Sequence, residues 1–314
     1  MPVLRRRGGE AEASHPPVPW ELNVLLRNGA APLEDRPADE EHFSVALVLG
    51  AGHDTPAAAG LPAALPDALR EQGVDLKVFS VEAPGGAALA DVVLAAGWRA
   101  APAVLTLAGV RARAVLPTVE PPAFPGSGWT EELPVLGPRW LGGELPPAAD
   151  AVYRAMPVHR RDDLVLVHGE DPFGMLAAVE LHERRPDIEF AVTGVRLPVS
   201  LPFPAIGVEP GGERVAHAFN SATVGLAPPV RGWRPAAVAM QACGLAVVAP
   251  DDEAGRTALG DTASLARDPL AAADAVEELL DDFEKRAGLA LAGMERVARW
   301  DAVAAELATV LRAL

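Results

Sequence analysis

The sequence predicts an α/β fold made of two doubly wound, parallel-sheet domains, and three observations predict it. Short apolar runs alternate with helical stretches through residues 43–116, and the alternation starts again at 163 and continues to 282. The runs 44–49 (SVALVL) and 164–167 (LVLV) are apolar at every position but one, as strands covered on both faces must be. Between the two series, residues 117–150 are dense in Pro, Gly and Trp and carry neither helical nor strand periodicity.

Taken in order, residues 1–42 are rich in Pro, Gly and charge, and only 20–26 (WELNVLL) has side chains to bury; a mostly flexible arm is expected. The body starts with a strand at 43–50 that ends in Gly50-Ala-Gly52. A helix broken by Pro62 and Pro66 then runs to Gly73 at its C-terminal cap position. Strands follow at 76–81, 91–95 and 111–116. In the second series, 163–168 is a strand, and Asp171-Pro172 are cap and first residue of a helix reaching Arg185. Then come strand 189–193, helix 212–220, strand 223–227, helix 235–243, strand 245–249 and a helix from Asp268-Pro269 to Asp282. The last element is an amphipathic helix, 301–314, with Asp301 as its cap. The domain division expected is an arm 1–42, a first domain 43–150, a second domain 151–290, and closing helices 291–314 that pack back toward the first domain.

Composition excludes several function classes. The chain has 314 residues, half of them apolar, enough for two domains of ordinary size. Its 43 acidic and 27 basic side chains give a formal charge of −16, which disfavours nucleic-acid backbones and anionic lipid as partners. Cys243 is the single cysteine, so there is no internal disulfide, and no Cys/His cluster has zinc spacing; no metal is expected. No run approaches the ~18–20 apolar residues of a membrane span, and Arg5-Arg6-Arg7 precedes no apolar segment, so a cytoplasmic protein without an integral span is expected.

One family pattern is legible. Residues 224–248 (VGLAPPVRGWRPAAVAMQACGLAVV) resemble, without a gap, the donor-site segment of GT-B glycosyltransferases, most of all the family 4 group related to bacterial rhamnosyltransferases of cell-surface polysaccharide assembly. Residues 91–98 (DVVLAAGW) with 111–125 (RARAVLPTVEPPAFP) resemble a strand and a Glu-Pro segment of the amino domain. Asp150 and Tyr153 resemble the Asp-x-x-Tyr of the interdomain linker, and 276–282 and 296–301 the closing helices. The resemblance covers roughly 43–314, with the amino half shortened. It implies a GT-B-like fold: two Rossmann-like parallel-sheet domains with an interdomain cleft.

The donor site that the resemblance implies is degraded. A nucleotide diphosphate needs charge-assisted contacts, and the matching place carries His168, Gly169, Glu170 and Asp171, two carboxylates where cations are expected. The helix Glu that accepts from donor hydroxyls falls on Ala239, and the small polar residues before it fall on Pro229, Gly232 and Arg234. Arg231 and Arg234 either reach a phosphate or are solvated surface groups, and Trp233 lies between them in the same cleft segment. Gly50, Gly52 and His53 resemble the remnant of a Gly-rich loop facing the donor, or form a plain tight turn. Glu120 either deprotonates an acceptor hydroxyl or caps nearby backbone N–H groups. The remaining candidates read as structural: His159, Arg160 and Arg161 a solvated loop, His182 and His217 surface residues, Trp98 and Trp140 packing, Cys243 buried and inert, and Trp129 either packing or a sugar platform.

Two functions follow. One is a non-catalytic relative that binds glycan or partners a catalytic glycosyltransferase subunit. The other is an active glycosyltransferase moving a deoxyhexose such as rhamnose from a nucleotide sugar, as substrate and not cofactor, to a glycan or small-molecule acceptor. The missing cations and missing Glu favour the first.

Overall fold

The computed structural model describes residues 43–119, 133–169, 171–195 and 201–314. The first half holds β1 (Ser44–Leu49), α1 (Leu65–Glu71), β2 (Asp75–Ser80), a 3-10 turn at Pro84–Leu89, β3 (Val92–Ala96), α2 (Ala101–Thr106) and β4 (Ala112–Leu116). A 3-10 turn at Arg139–Leu141 and the two-residue β5 (Ala148–Ala149) lead into the second half. There the order is β6 (Leu164–His168), α3 (Pro172–Arg184), β7 (Glu189–Thr193), β8 (Ala205–Gly207), α4 (Gly212–Ser221), β9 (Val224–Leu226), α5 (Ala236–Ala242), β10 (Ala246–Pro250), α6 (Glu253–Leu259), β11 (Ser264–Ala266) and α7 (Pro269–Asp281). Helix α8 (Phe283–Arg296), the short β12 (Ala298–Arg299) and α9 (Trp300–Ala313) close the chain.

The strands form two all-parallel sheets, ordered β2-β1-β3-β4 and β11-β10-β9-β6-β7-β8, with β12 pairing β5 as a third, minimal ladder. Alternate residues of β1 enter different cores: Val45, Leu47 and Leu49 join one cluster, Ala46 and Val48 another, and none of the five is more than 2% exposed. That is why the run reads as apolar throughout. Leu166, Val192, Leu226 and Val247 are likewise buried. The cluster that takes Val45 does not stop at the first sheet; it continues through Trp140, Trp233 and Trp300 to Leu166 and Val247 of the second.

Three tryptophans join the halves. Trp233, on the loop after β9, donates from Nε1 to the carbonyl of Pro117 at 2.6 Å, and Trp140 donates back to the carbonyl of Gly232 at 2.7 Å. Trp300, at the start of α9, donates to Asp150 Oδ1 at 2.8 Å. From there α9 crosses to α1, and near its end Arg312 donates to the carbonyl of Gln72 at 2.6 Å.

Several expectations are corrected. Pro66 does not break the first helix but sits in its first turn, where a missing N–H is harmless. Asp301 is not the cap of the last helix: Arg299 holds that position, α9 begins at Trp300, whose indole bonds Asp150, and Asp301 lies in its first turn. Within residues 296–301, Arg296 ends α8 and Trp300 and Asp301 begin α9, but 297–299 interrupt the helices, and there β12 pairs with β5. Helices α2, α6 and α8 were not foreseen. His182 is not a surface residue; its ring packs 6.3 and 6.4 Å from those of Phe190 and Phe203. Arg160 is no solvated loop residue either, since it is half-buried and donates to the carbonyl of Cys243 at 3.0 Å. Residues 1–42, Glu120, Trp129 and Glu170 lie outside the described residues.

Candidate functional site

In the second sheet the chain leaves β6 toward β7 on one side, and the later strands β9 to β11 build the other. The order therefore reverses between β6 and β9, and a doubly wound sheet opens a crevice beyond the carboxyl ends of the strands at such a point. A cavity of about 320 Å³ lies there. His168, the last residue of β6, stands at its mouth. Ala148, Ala149, Asp150 and Tyr153 of the linker form one wall, Val215 and Phe219 of α4 a second, and Arg234, Pro235, Ala236 and Ala239 a third.

The polar groups of this cavity are already engaged with the fold. Asp150 accepts the Trp300 indole through Oδ1, and the Arg234 guanidinium lies 3.6 Å from its Oδ2. The Tyr153 ring stacks on Phe219 with centroids 5.7 Å apart. Burial first, and the Asp150 carboxylate second, push the Tyr153 hydroxyl above its ordinary pKa, so it remains a neutral phenol. Ala239 presents a methyl group to the cavity and is half-buried on α5.

A second cavity of about 520 Å³ opens on the other side of the same loop. Val119, Trp140 and Leu141 from the first half face Pro229, Val230 and Arg231 across it, with Asp252 and Glu253 at the start of α6 on its rim. Asp252 caps that helix, accepting from the Gly255 N–H at 2.6 Å. One arginine thus stands beside two carboxylates, a balance that repels a diphosphate.

The expected donor set is therefore divided. Arg234 and Ala239 share the first cavity, with His168 beside Gly169. Arg231 lies on the second. Trp233 corrects an expectation: it is 1% exposed, wedged between the halves with its ring 6.2 Å from that of Trp300, and it has no face for a ligand. Gly50, Gly52 and His53 form the tight turn after β1, closed by the His53 N–H on the Gly50 carbonyl, and line neither cavity. Gly52 takes φ +77°, the left-handed region that such a turn demands. Gly169 has a packing reason of its own, because a Cβ there would meet Val195 Cγ1 at 2.5 Å. Asp171 caps α3 through the Phe173 N–H at 2.9 Å.

Sequence reasoning put His168 in the stretch that matches the donor-diphosphate position and read Asp150 and Tyr153 as linker residues, but assigned none of the three a role in the site. A signal existed for each: the Asp-x-x-Tyr of the linker, and a polar residue closing an apolar parallel strand at its carboxyl end. Among the described residues no group of His, Cys, Asp and Glu could hold a metal ion, and no helix is long and apolar enough to cross a membrane.

No family model matches the chain, and a search of curated proteins gave no match. Solved structures do resemble it. Sucrose-phosphate synthase from Thermosynechococcus elongatus superposes with a TM-score of 0.64 at 14% identity, covering 87% of this chain and 99% of its own. AviGT4, a glycosyltransferase involved in avilamycin A biosynthesis, gives 0.55 at 18% identity, covering 87% and 98%. HepE of Anabaena in complex with UDP-glucose gives 0.55 at 14%, covering 87% and 100%. At these identities the likeness establishes the fold, which is GT-B-like: two parallel-sheet α/β domains in one chain.

Proposed function

We propose that this chain is a glycosyltransferase-fold protein of glycan or glycoconjugate biosynthesis whose donor site does not retain a nucleotide sugar, and that it serves as a non-catalytic partner of a glycosyltransferase or as a glycan-binding relative. The observation that carries this reading is the wall of the first cavity. Ala239 offers a methyl where a carboxylate would accept from donor hydroxyls, and Arg234, the one guanidinium lining that cavity among the described residues, is shared with Asp150.

The magnitudes favour this reading. A hydrogen bond to a charged group contributes roughly 1.5–3 kcal/mol, so the loss of one cation and one carboxylate contact removes about 3–6 kcal/mol. At about 1.4 kcal/mol per decade, a micromolar site moves to the millimolar range or beyond. Asp150 adds repulsion, and freeing Arg234 for a phosphate means breaking its pairing with that carboxylate.

The alternative, an active enzyme, draws on the position of the cavity at the point where doubly wound sheets bind ligands. In that case Arg234 holds the phosphate and Glu120 acts as the base. Thermal unfolding in the presence of UDP- and dTDP-sugars separates the two. A ligand that binds the native state raises the midpoint as its concentration passes Kd. The non-catalytic reading predicts a flat midpoint up to millimolar concentration; a rise beginning in the micromolar range overturns it.

A further inference from the structure

We infer that a groove at the amino-terminal edge of the second sheet is the docking site for this chain's own residues 20–26 (WELNVLL). The groove has a volume of about 400 Å³, and Thr223 and Gly244, just ahead of β9 and β10, lie at its base. One lip is a face of α8: Phe283, Ala287, Leu291 and Met294 recur at helical spacing. Phe283 is 69% exposed, Leu291 53% and Met294 37%, while Gly293 on the opposite side of the helix is buried against Gln241. A helix that points three large apolar side chains outward around a concavity marks a place where something else packs.

Two cations line the groove, Arg160 ahead of β6 and Arg286 on α8 itself. Arg160 is held by the Cys243 carbonyl, and Arg286 donates to the carbonyls of Leu279 and Leu280 at 2.7 and 2.9 Å with its guanidinium 5.4 Å from the Phe283 ring centroid. Asp162 is the carboxylate on the rim. The fitting occupant is an apolar segment carrying an acidic group. In the first 42 residues the longest apolar patch is 20–26, and its single charge is Glu21. A second copy of the chain would bring −16 against −16.

The reach suffices. Phe43 lies beneath Arg312 at the far end of α9, and Trp300 opens that helix. At 1.5 Å per residue the helix from Trp300 to Arg312 is about 18 Å long, and the six residues back to Met294 add at most about 20 Å. The sixteen residues 27–42 span up to about 53 Å when extended. Because the groove lies at the opposite edge of the sheet from His168, its occupancy and nucleotide binding are separable.

Hydrogen exchange on the full chain tests the docking, with sedimentation to fix the oligomeric state. Amides of 20–26 should exchange about tenfold more slowly than those of 1–19 in a monomer, and Leu291→Glu should abolish the difference. Leu291 is exposed, so the fold should survive. If that variant fails to fold, Glu21→Lys, which alters only the docking segment, should reduce the same protection. Exchange of 20–26 at the rate of 1–19, protection that neither substitution reduces, or a dimer that Leu291→Glu dissociates would overturn the inference.

Discussion

At the scale of single residues, two side chains carry most of the account. Ala239 stands on the cavity wall with room beside it, so Ala239→Glu should add an acceptor for a ribose or sugar hydroxyl without disturbing the core. One charge-assisted contact of roughly 1.5–3 kcal/mol corresponds to about a ten- to hundredfold gain in affinity for a nucleotide sugar, measurable by calorimetry. Cys243 offers a check on burial. It is 0% exposed, and desolvation raises its thiol from an ordinary 9.0 to about 11. Below pH 9 the thiol is neutral in both native and unfolded chains and contributes no pH dependence. Above it the unfolded chain ionises first, so stability falls by about 3 kcal/mol until the native thiol titrates near 11. Denaturant unfolding of wild type and Cys243→Ala from pH 8 to 11 should show a loss about 3 kcal/mol larger in the wild type, the remainder shared by both through the raised Tyr153 hydroxyl.

At the scale of elements, the loop between β9 and α5 is fixed by what it touches across the molecule. Trp233→Phe keeps most of the ring packing but leaves the buried Pro117 carbonyl without its donor, and should lower stability by about 1–3 kcal/mol in denaturant unfolding. This contact joins residues 116 positions apart, so no local pattern announced it, and Trp233 read as a cleft residue from its neighbours alone. The strands were legible because both faces of each sheet are covered and their sequences are apolar end to end. Helices α2 and α6 were missed because six or seven residues give little periodicity by themselves; α1 and α5, equally short, had a C-terminal Gly signal and the family pattern to mark them. Helix α8 was missed although its cap, Asp282, accepts from the Lys285 N–H at 2.9 Å, because its apolar stripe faces a groove and not the core. Arg234 and Ala239 were found through the ungapped family pattern. The pairing of Arg234 with Asp150, and the meeting of Arg234 and Ala239 with the linker at one cavity, needed the fold.

At the scale of the whole molecule, one apolar cluster runs from β1 through the three bridging tryptophans to β10, and α9 spans both halves. Heat unfolding should therefore be a single transition, with near-ultraviolet and far-ultraviolet signals coincident; two resolved transitions would mean that the halves fold separately. The same continuity holds the 231–234 segment against the first half, with Arg234 on the first cavity and Arg231 on the second. The central claim is that the cavity beside His168 does not retain a nucleotide sugar. Calorimetric titration of the full chain with UDP-glucose and a dTDP-sugar tests it most directly. The account predicts a dissociation constant in the millimolar range or no measurable heat. A low-micromolar constant that Arg234→Ala abolishes would contradict it.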